Sequence, residues 1–153
     1  MKIQLIIAAL SIMALAGGVV VYKARGIRNN NPGNIRHGSQ WQGMTETQTD
    51  RAFVQFTDSV YGIRALNKVL RTYATRYGLT SVRGIINRWA PPNENDTSSY
   101  VVSVAARLGV LPDQSIDVQA YAPELTRAII KHENGVQPYS DQTIEQGIRL
   151  GWA

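Results

Sequence analysis

The chain has 153 residues, 44% of them apolar and 18% charged, the balance of one globular domain with an appendage. It has no cysteine, which excludes disulfides and cysteine-based metal centres, and its two histidines, His37 and His132, are too few and too isolated for a metal site. Of the net charge of +5, Lys2, Lys23 and Arg25 fall in the first 25 residues; the remainder carries 13 bases against 11 acids and no basic tract, which argues against a nucleic-acid partner.

Residues 3–22 are uncharged and nearly all apolar, broken only by Gln4 and Ser11. As a helix they would span about 30 Å, the thickness of a bilayer core. Tyr22, Lys23 and Arg25 follow as interfacial anchors. The pattern predicts one transmembrane helix and a single-pass membrane protein, with basic residues at both ends leaving its orientation open. A cleaved signal peptide is the competing expectation, since Ala14-Leu15-Ala16 has the small-x-small form of a cleavage site. Val19-Val20-Val21 carry the apolar run beyond it. The chain therefore divides into an anchor with its flank, 1–25, and a functional domain, 26–153.

Residues 23–29 read as a linker, and residues 30–56 as a small irregular β-region rich in Asn, Gly, Gln and Thr. Alternation in Ala52-Phe53-Val54-Gln55-Phe56 predicts a short strand there. Five helices follow. Asp58 or Ser59 caps the first, with Val60, Ile63, Leu66, Leu70, Tyr73 and Tyr77 on one stripe and a stop at Gly78. Thr80 or Ser81 opens the second, with Ile85, Ile86 and Trp89 inward, ended before Pro91-Pro92. Asp96 or Thr97 opens the third, closed by Gly109. Pro123 suits the first turn of the fourth, which runs to Glu133-Asn134 with Gly135 as its stop, and Ser140 opens the last. The fold class expected is α+β, mainly helical, preceded by the transmembrane helix.

Chemistry concentrates at a few positions. Leu125, Ile129 and Glu133 are four apart, so Glu133 ends an apolar stripe. A carboxyl group so placed is partly desolvated and faces the negative end of the helix dipole, and both effects raise its pKa towards what a general acid needs. The alternative is that Glu133 pairs with Arg127 or Lys131 or turns into water. Glu94 is the runner-up, on a loop stiffened by Pro91-Pro92, though Asn95, Asp96 and Thr97 beside it look like capping residues. Arg25-Gly26-Ile27-Arg28-Asn29-Asn30-Asn31-Pro32-Gly33-Asn34-Ile35-Arg36, followed by Trp41 and Gly43, looks built to grip a polar, ring-shaped ligand. The asparagines also fit a plain turn, because Asn tolerates left-handed backbone, and Trp41 fits a core position. No serine lies in a nucleophile elbow.

Read together, these segments resemble the lysozyme-like superfamily, and within it phage-type peptidoglycan hydrolases. Asn31-Pro32-Gly33-Asn34-Ile35-Arg36 then Trp41-Gln42-Gly43 is similar to an Asn-Gly loop and Trp-x-Gly element of bacterial glucosaminidases. Phe53-Val54-Gln55-Phe56 with Tyr61-Gly62-Ile63-Arg64-Ala65, and Asn95-Asp96-Thr97 to Tyr100, resemble later elements of that family in the same order. Ala128-Ile129-Ile130-Lys131-His132-Glu133-Asn134-Gly135 resembles the catalytic helix end of lytic transglycosylases, but it lies near the opposite end of the chain. The resemblance therefore implies a circularly permuted lysozyme-like domain, with Trp152 near Gly26.

It also implies the roles. Glu133 would protonate the glycosidic oxygen between N-acetylmuramic acid and N-acetylglucosamine, then take the proton of the sugar's own 6-hydroxyl. Asn31, Asn34 and Arg36 would contact acetamido or carboxylate groups, and Trp41 and Tyr100 would stack on sugar rings. A water-using muramidase or glucosaminidase needs a second carboxylate, for which Asp50 and Asp58 are the candidates. No cofactor or metal is implied. The partners would be peptidoglycan glycan strands and, through residues 3–22, a membrane: that of a virion, or a bacterial inner membrane with the domain facing the wall. The rival from another class is a non-catalytic glycan-binding or structural protein of a virion or cell envelope.

Overall fold

The computed structural model describes residues 12–15, 18–21, 23–93 and 96–153. Two short strands come first, β1 (Ile12–Leu15) and β2 (Gly18–Val21), paired antiparallel with Ile12 opposite Val21 and Leu15 opposite Gly18. Six helices follow: α1 (Arg25–Arg28), α2 (Ser59–Tyr77), α3 (Val82–Trp89), α4 (Thr97–Leu108), α5 (Ala122–Asn134) and α6 (Asp141–Trp152).

The hairpin overturns the transmembrane helix. The described residues of the 3–22 segment are strands, and no helix among the described residues is long and apolar enough to cross a membrane. The single-pass localisation falls with that helix. The sequence carries the physical cause. Ile12 and Val19 to Val21 are β-branched, and the adjacent glycines at 17 and 18 weaken a helix where two strands can meet. Residues 3–11, 16, 17 and 22 of that segment lie outside the described residues.

The α+β expectation is corrected too: the fold is mainly helical, but the β-region at 30–56 is not built as a sheet. Only two isolated bridges occur there, Arg36 with Phe53 and Met44 with Phe56. Residues 53–56 share their backbone among several partners instead of one. Val54 N donates to Ile35 O (2.9 Å), Phe56 N to Asn29 O (2.9 Å), and Gln55 O accepts from Thr45 N (3.0 Å). Side chains take the remaining groups: Asn31 Nδ2 reaches Val54 O (2.8 Å), and Gln48 exchanges two bonds with the Gln55 backbone (2.7 and 2.8 Å). Polar side chains that bond the backbone compete with a ladder, and here they replace it.

The helices begin and end where local chemistry places them. Asp58, Ser81, Asp96 and Ser140 each accept a backbone N–H at the first turn of α2, α3, α4 and α6. Gly78, Gly109 and Gly135 take left-handed φ angles of 63°, 69° and 73° at the ends of α2, α4 and α5. Ile63, Leu66 and Leu70 of α2 meet Ile85 and Ile86 of α3, Val101 and Val104 of α4, Leu125, Ile129 and Ile130 of α5, and Ile144 of α6 in one core. A smaller cluster of Ile35, Val54, Phe56 and Ala65 lies beneath the Asn-rich loop. Gly147 and Gly151 let α6 lie against α2, since a methyl group at either would strike Ile63 or Asn67.

The two chain ends implied to be neighbours by a permuted domain pack against different stretches of α5. Trp152 lines a cleft with Pro123 near the start of α5, whereas Gly26 abuts Asn134 at its end. Eleven helical steps, about 16 Å, separate Pro123 from Asn134.

Candidate active site

Asparagines hold the loop after α1. Asn30 and Asn34 both adopt φ of 51°, the left-handed region Asn tolerates. Asn31 is fully buried: its Nδ2 donates to the carbonyls of Ile35 (2.9 Å) and Val54 (2.8 Å), and its Oδ1 accepts from Ile35 N (2.9 Å). Its polar groups are thus spent inside the loop rather than turned to a ligand. Asn134, also buried, donates through Nδ2 to the carbonyls of Pro32 (2.8 Å) and Ile130 (2.9 Å). That pair of bonds pins the loop to the last turn of α5.

The pinning brings Asn34 onto Glu133. Asn34 Nδ2 donates to Glu133 Oε2 at 3.1 Å. Trp89 Nε1, from the end of α3, donates to Oε1 at 3.1 Å, and the Tyr100 hydroxyl, from the first turn of α4, donates to the same atom at 3.3 Å. Three segments far apart in sequence thus converge on one carboxyl group, each with a neutral donor. No cation bonds to Glu133 among the described residues. Burial drives the carboxyl pKa upward, the three hydrogen bonds oppose it, and the net shift is up. Oε1 accepts two bonds and Oε2 one, so Oε2 retains the lone pair open to a proton.

Tyr100 is 1% exposed, and its ring stacks on His132 with centroids 3.5 Å apart and planes 8° from parallel. It therefore offers no face to a sugar. Its hydroxyl, raised well above the usual range by burial and then by Glu133, stays protonated and donates. Burial lowers the His132 pKa against the opposing field of Asp96, leaving the imidazole neutral at neutral pH.

The remaining expected residues lie elsewhere or serve the scaffold. Trp41 is half-buried in the cluster beneath the loop, and its Nε1 has no partner among the described residues. Arg36 is exposed, its guanidinium 5.2 Å from the Phe53 ring centroid. Glu94 lies outside the described residues. Asp58 is spent capping α2, with Val60 N at 2.8 Å. Among the described residues, no three of His, Asp or Glu converge as a metal would require.

Asp50 is bound most heavily. Its carboxylate takes both arms of Arg25 at 2.6 Å, Asn29 Nδ2 at 2.8 Å, and the backbone N–H groups of Ala52 and Phe53 at 3.0 and 3.1 Å. These bonds, Arg25's foremost, hold its pKa well below the ordinary 3.8. A depressed carboxylate contributes stability that is present above its unfolded pKa and lost as pH falls through the folded one. Asp50→Asn should therefore cost roughly 2–3 kcal/mol at pH 7, with the difference closing as pH drops below 3.8, as urea melts across pH would show.

Trp89 and Asn134 are the site residues that sequence patterns pass over, Trp89 as core and Asn134 as a helix end. The signal for Trp89 is chemical: an inward indole needs an acceptor for its N–H, and Glu133 is a carboxylate ending an apolar stripe.

Fold and site together define a small, mainly helical protein with a half-buried acid, Glu133, held by neutral donors. No family model matches the chain. Over 133 residues it is 46% identical to Protein P5 of Pseudoalteromonas phage PM2, an alignment covering 84% of this chain and 82% of that protein. The chain belongs to the family of that phage protein.

Proposed function

We propose that the protein cleaves the glycan strand of peptidoglycan, as a lytic transglycosylase with Glu133 as its acid and base. The observation that carries this is the half-buried carboxyl group, its pKa raised, set by Asn34, Trp89 and Tyr100 with no cation bonded to it among the described residues. A carboxyl group with a raised pKa keeps its proton to higher pH than an ordinary glutamate and can give it to the glycosidic oxygen as the bond to the anomeric carbon breaks. The carboxylate left behind takes the proton of the sugar's 6-hydroxyl, whose oxygen then bonds to the anomeric carbon. No water is consumed, and the carboxyl group returns to its starting state. Oε2 is the atom that gives and takes the proton.

The commitments of Asp50 and Asp58 favour this route over a water-using one. Asp50 is tied to Arg25, and Asp58 caps a helix, so neither is free to activate water. The resemblance of residues 31–36, 41–43 and 128–135 to peptidoglycan hydrolases supports the substrate. The phage origin of Protein P5 supports a place in wall penetration or lysis.

Mass analysis of purified peptidoglycan after incubation with the protein tests the proposal. Soluble fragments ending in anhydro-muramic acid are expected, lighter than the hydrolysis products by one water. Fragments with a reducing end would transfer the reaction to a water-using enzyme, and absence of soluble fragments would end the proposal.

A further inference from the structure

The segment that carries the Asn-rich loop has an excess of bases. Residues 23–53 hold Lys23, Arg25, Arg28, Arg36 and Arg51 against Glu46 and Asp50, whereas residues 54–153 hold ten bases against nine acids. Arg25 is neutralised by Asp50. Arg36 has no carboxylate partner among the described residues. Its guanidinium is nonetheless held: it lies over the Phe53 ring, which Arg25 also covers at 4.7 Å. Phe53 in turn is fixed through its backbone, since its N–H donates to Asp50 and it bridges to Arg36 itself. Arg36 is two residues beyond Asn34, at most about 7 Å from it between Cα atoms. A guanidinium held by stacking, exposed and unpaired, keeps its fork of donors free for an incoming carboxylate.

We infer that Arg36, steadied by Phe53, is a subsite for a carboxylate carried by the glycan strand, so that the site prefers acidic strands to neutral ones. This rests on the peptidoglycan reading above. The carboxylate could belong to the stem peptide or, where no peptide is attached, to the lactyl group of muramic acid. Either would meet the Arg36 guanidinium while Asn34 and Glu133 engage the backbone of the strand.

The test measures binding with the Glu133→Gln protein, which holds the strand without cutting it. Three glycans of matched length are compared: strands bearing stem peptides, strands stripped by an amidase, and chito-oligosaccharides, which carry no carboxylate. Adding Arg36→Gln is expected to weaken binding of the acidic glycans about tenfold while chito-oligosaccharide binding stays unchanged. Loss confined to the peptide-bearing strands assigns the stem carboxylate, and loss extending to the stripped strands assigns the lactyl group. Equal loss on all three glycans, or no loss on any, overturns the subsite. The two ideas fail separately. A wild-type protein that releases no fragments, yet whose binding shows the Arg36 discrimination, loses the enzyme and keeps the subsite. Wild-type cleavage with no effect of Arg36→Gln does the reverse, and binding to none of the three overturns both.

Discussion

Glu133→Gln should leave the protein folded and abolish release of soluble fragments from purified peptidoglycan, a loss on the order of 10²-fold or more. The glutamine keeps the shape of the side chain and an oxygen able to accept from Trp89 and Tyr100. Its amide can donate to Asn34 Oδ1, a buried oxygen with no partner among the described residues, once the Asn34 amide turns over. What it lacks is a transferable proton. The same variant should be the more stable protein at high pH. Burial raises the Glu133 pKa above its ordinary 4.5, so its contribution to stability is present below that value and lost as pH rises through the folded pKa. Glutamine carries no charge to bury. The variant should melt above the wild type at pH 8, with the gap closing towards pH 4. In the wild type, activity should fall on the alkaline side as the acid loses its proton, at a pH above that of an ordinary glutamate. A variant that clears peptidoglycan as the wild type does would remove Glu133 from the chemistry.

Gly26→Ala should be nearly as damaging, although Gly26 has no side chain to offer the site. Gly26 is buried in α1, and a methyl group there would lie 2.4 Å from Asn134 Oδ1, 2.9 Å from Asn34 Oδ1 and 2.9 Å from the Asn31 carbonyl. Alanine is the better helix former by about 1 kcal/mol. Overpacking of a closed site costs typically about 1–3 kcal/mol, and displacing Asn134 would add its two hydrogen bonds, about 1 kcal/mol each. The clash wins. Because Asn134 pins the loop and Asn34 binds Glu133, the displacement should also lower activity on the order of 10²-fold, as misplacement by about 1 Å does. Thermal melts and fragment release measure the two effects separately. A stable variant with normal activity would mean that the loop is not clamped through Asn134.

Helix ends were legible in the sequence because they are local. Asp58, Ser81, Asp96 and Ser140 need only their own first turn, and Gly78, Gly109 and Gly135 only their own backbone angle. Periodicity likewise put Glu133 on the inward stripe with Leu125 and Ile129, both buried. The 3–22 segment misled because length and apolarity describe a bilayer helix and an apolar hairpin equally well. The strand at 52–56 failed because alternation cannot show that Asn31 and Gln48 compete for the same backbone groups. The direction of an asparagine is equally hidden: Asn31 turns inward and Asn34 turns to Glu133, three residues apart on one loop. Trp89 and Asn134 reach the site across separations of 44 and 102 residues, which no local pattern records.

Those separations bear on how the protein comes to life. The acid sits on residue 133, and its partners on residues 34, 89 and 100 arrive from loops of 99, 44 and 33 residues. Closing the longest of them requires α2 to α5 to be in place, so the site belongs to the late, non-local part of folding. A nascent or clipped chain would hold an ordinary surface glutamate with an ordinary pKa. Cutting power would switch on only with the finished fold, and enzymatic activity during denaturation should disappear in step with the helical signal.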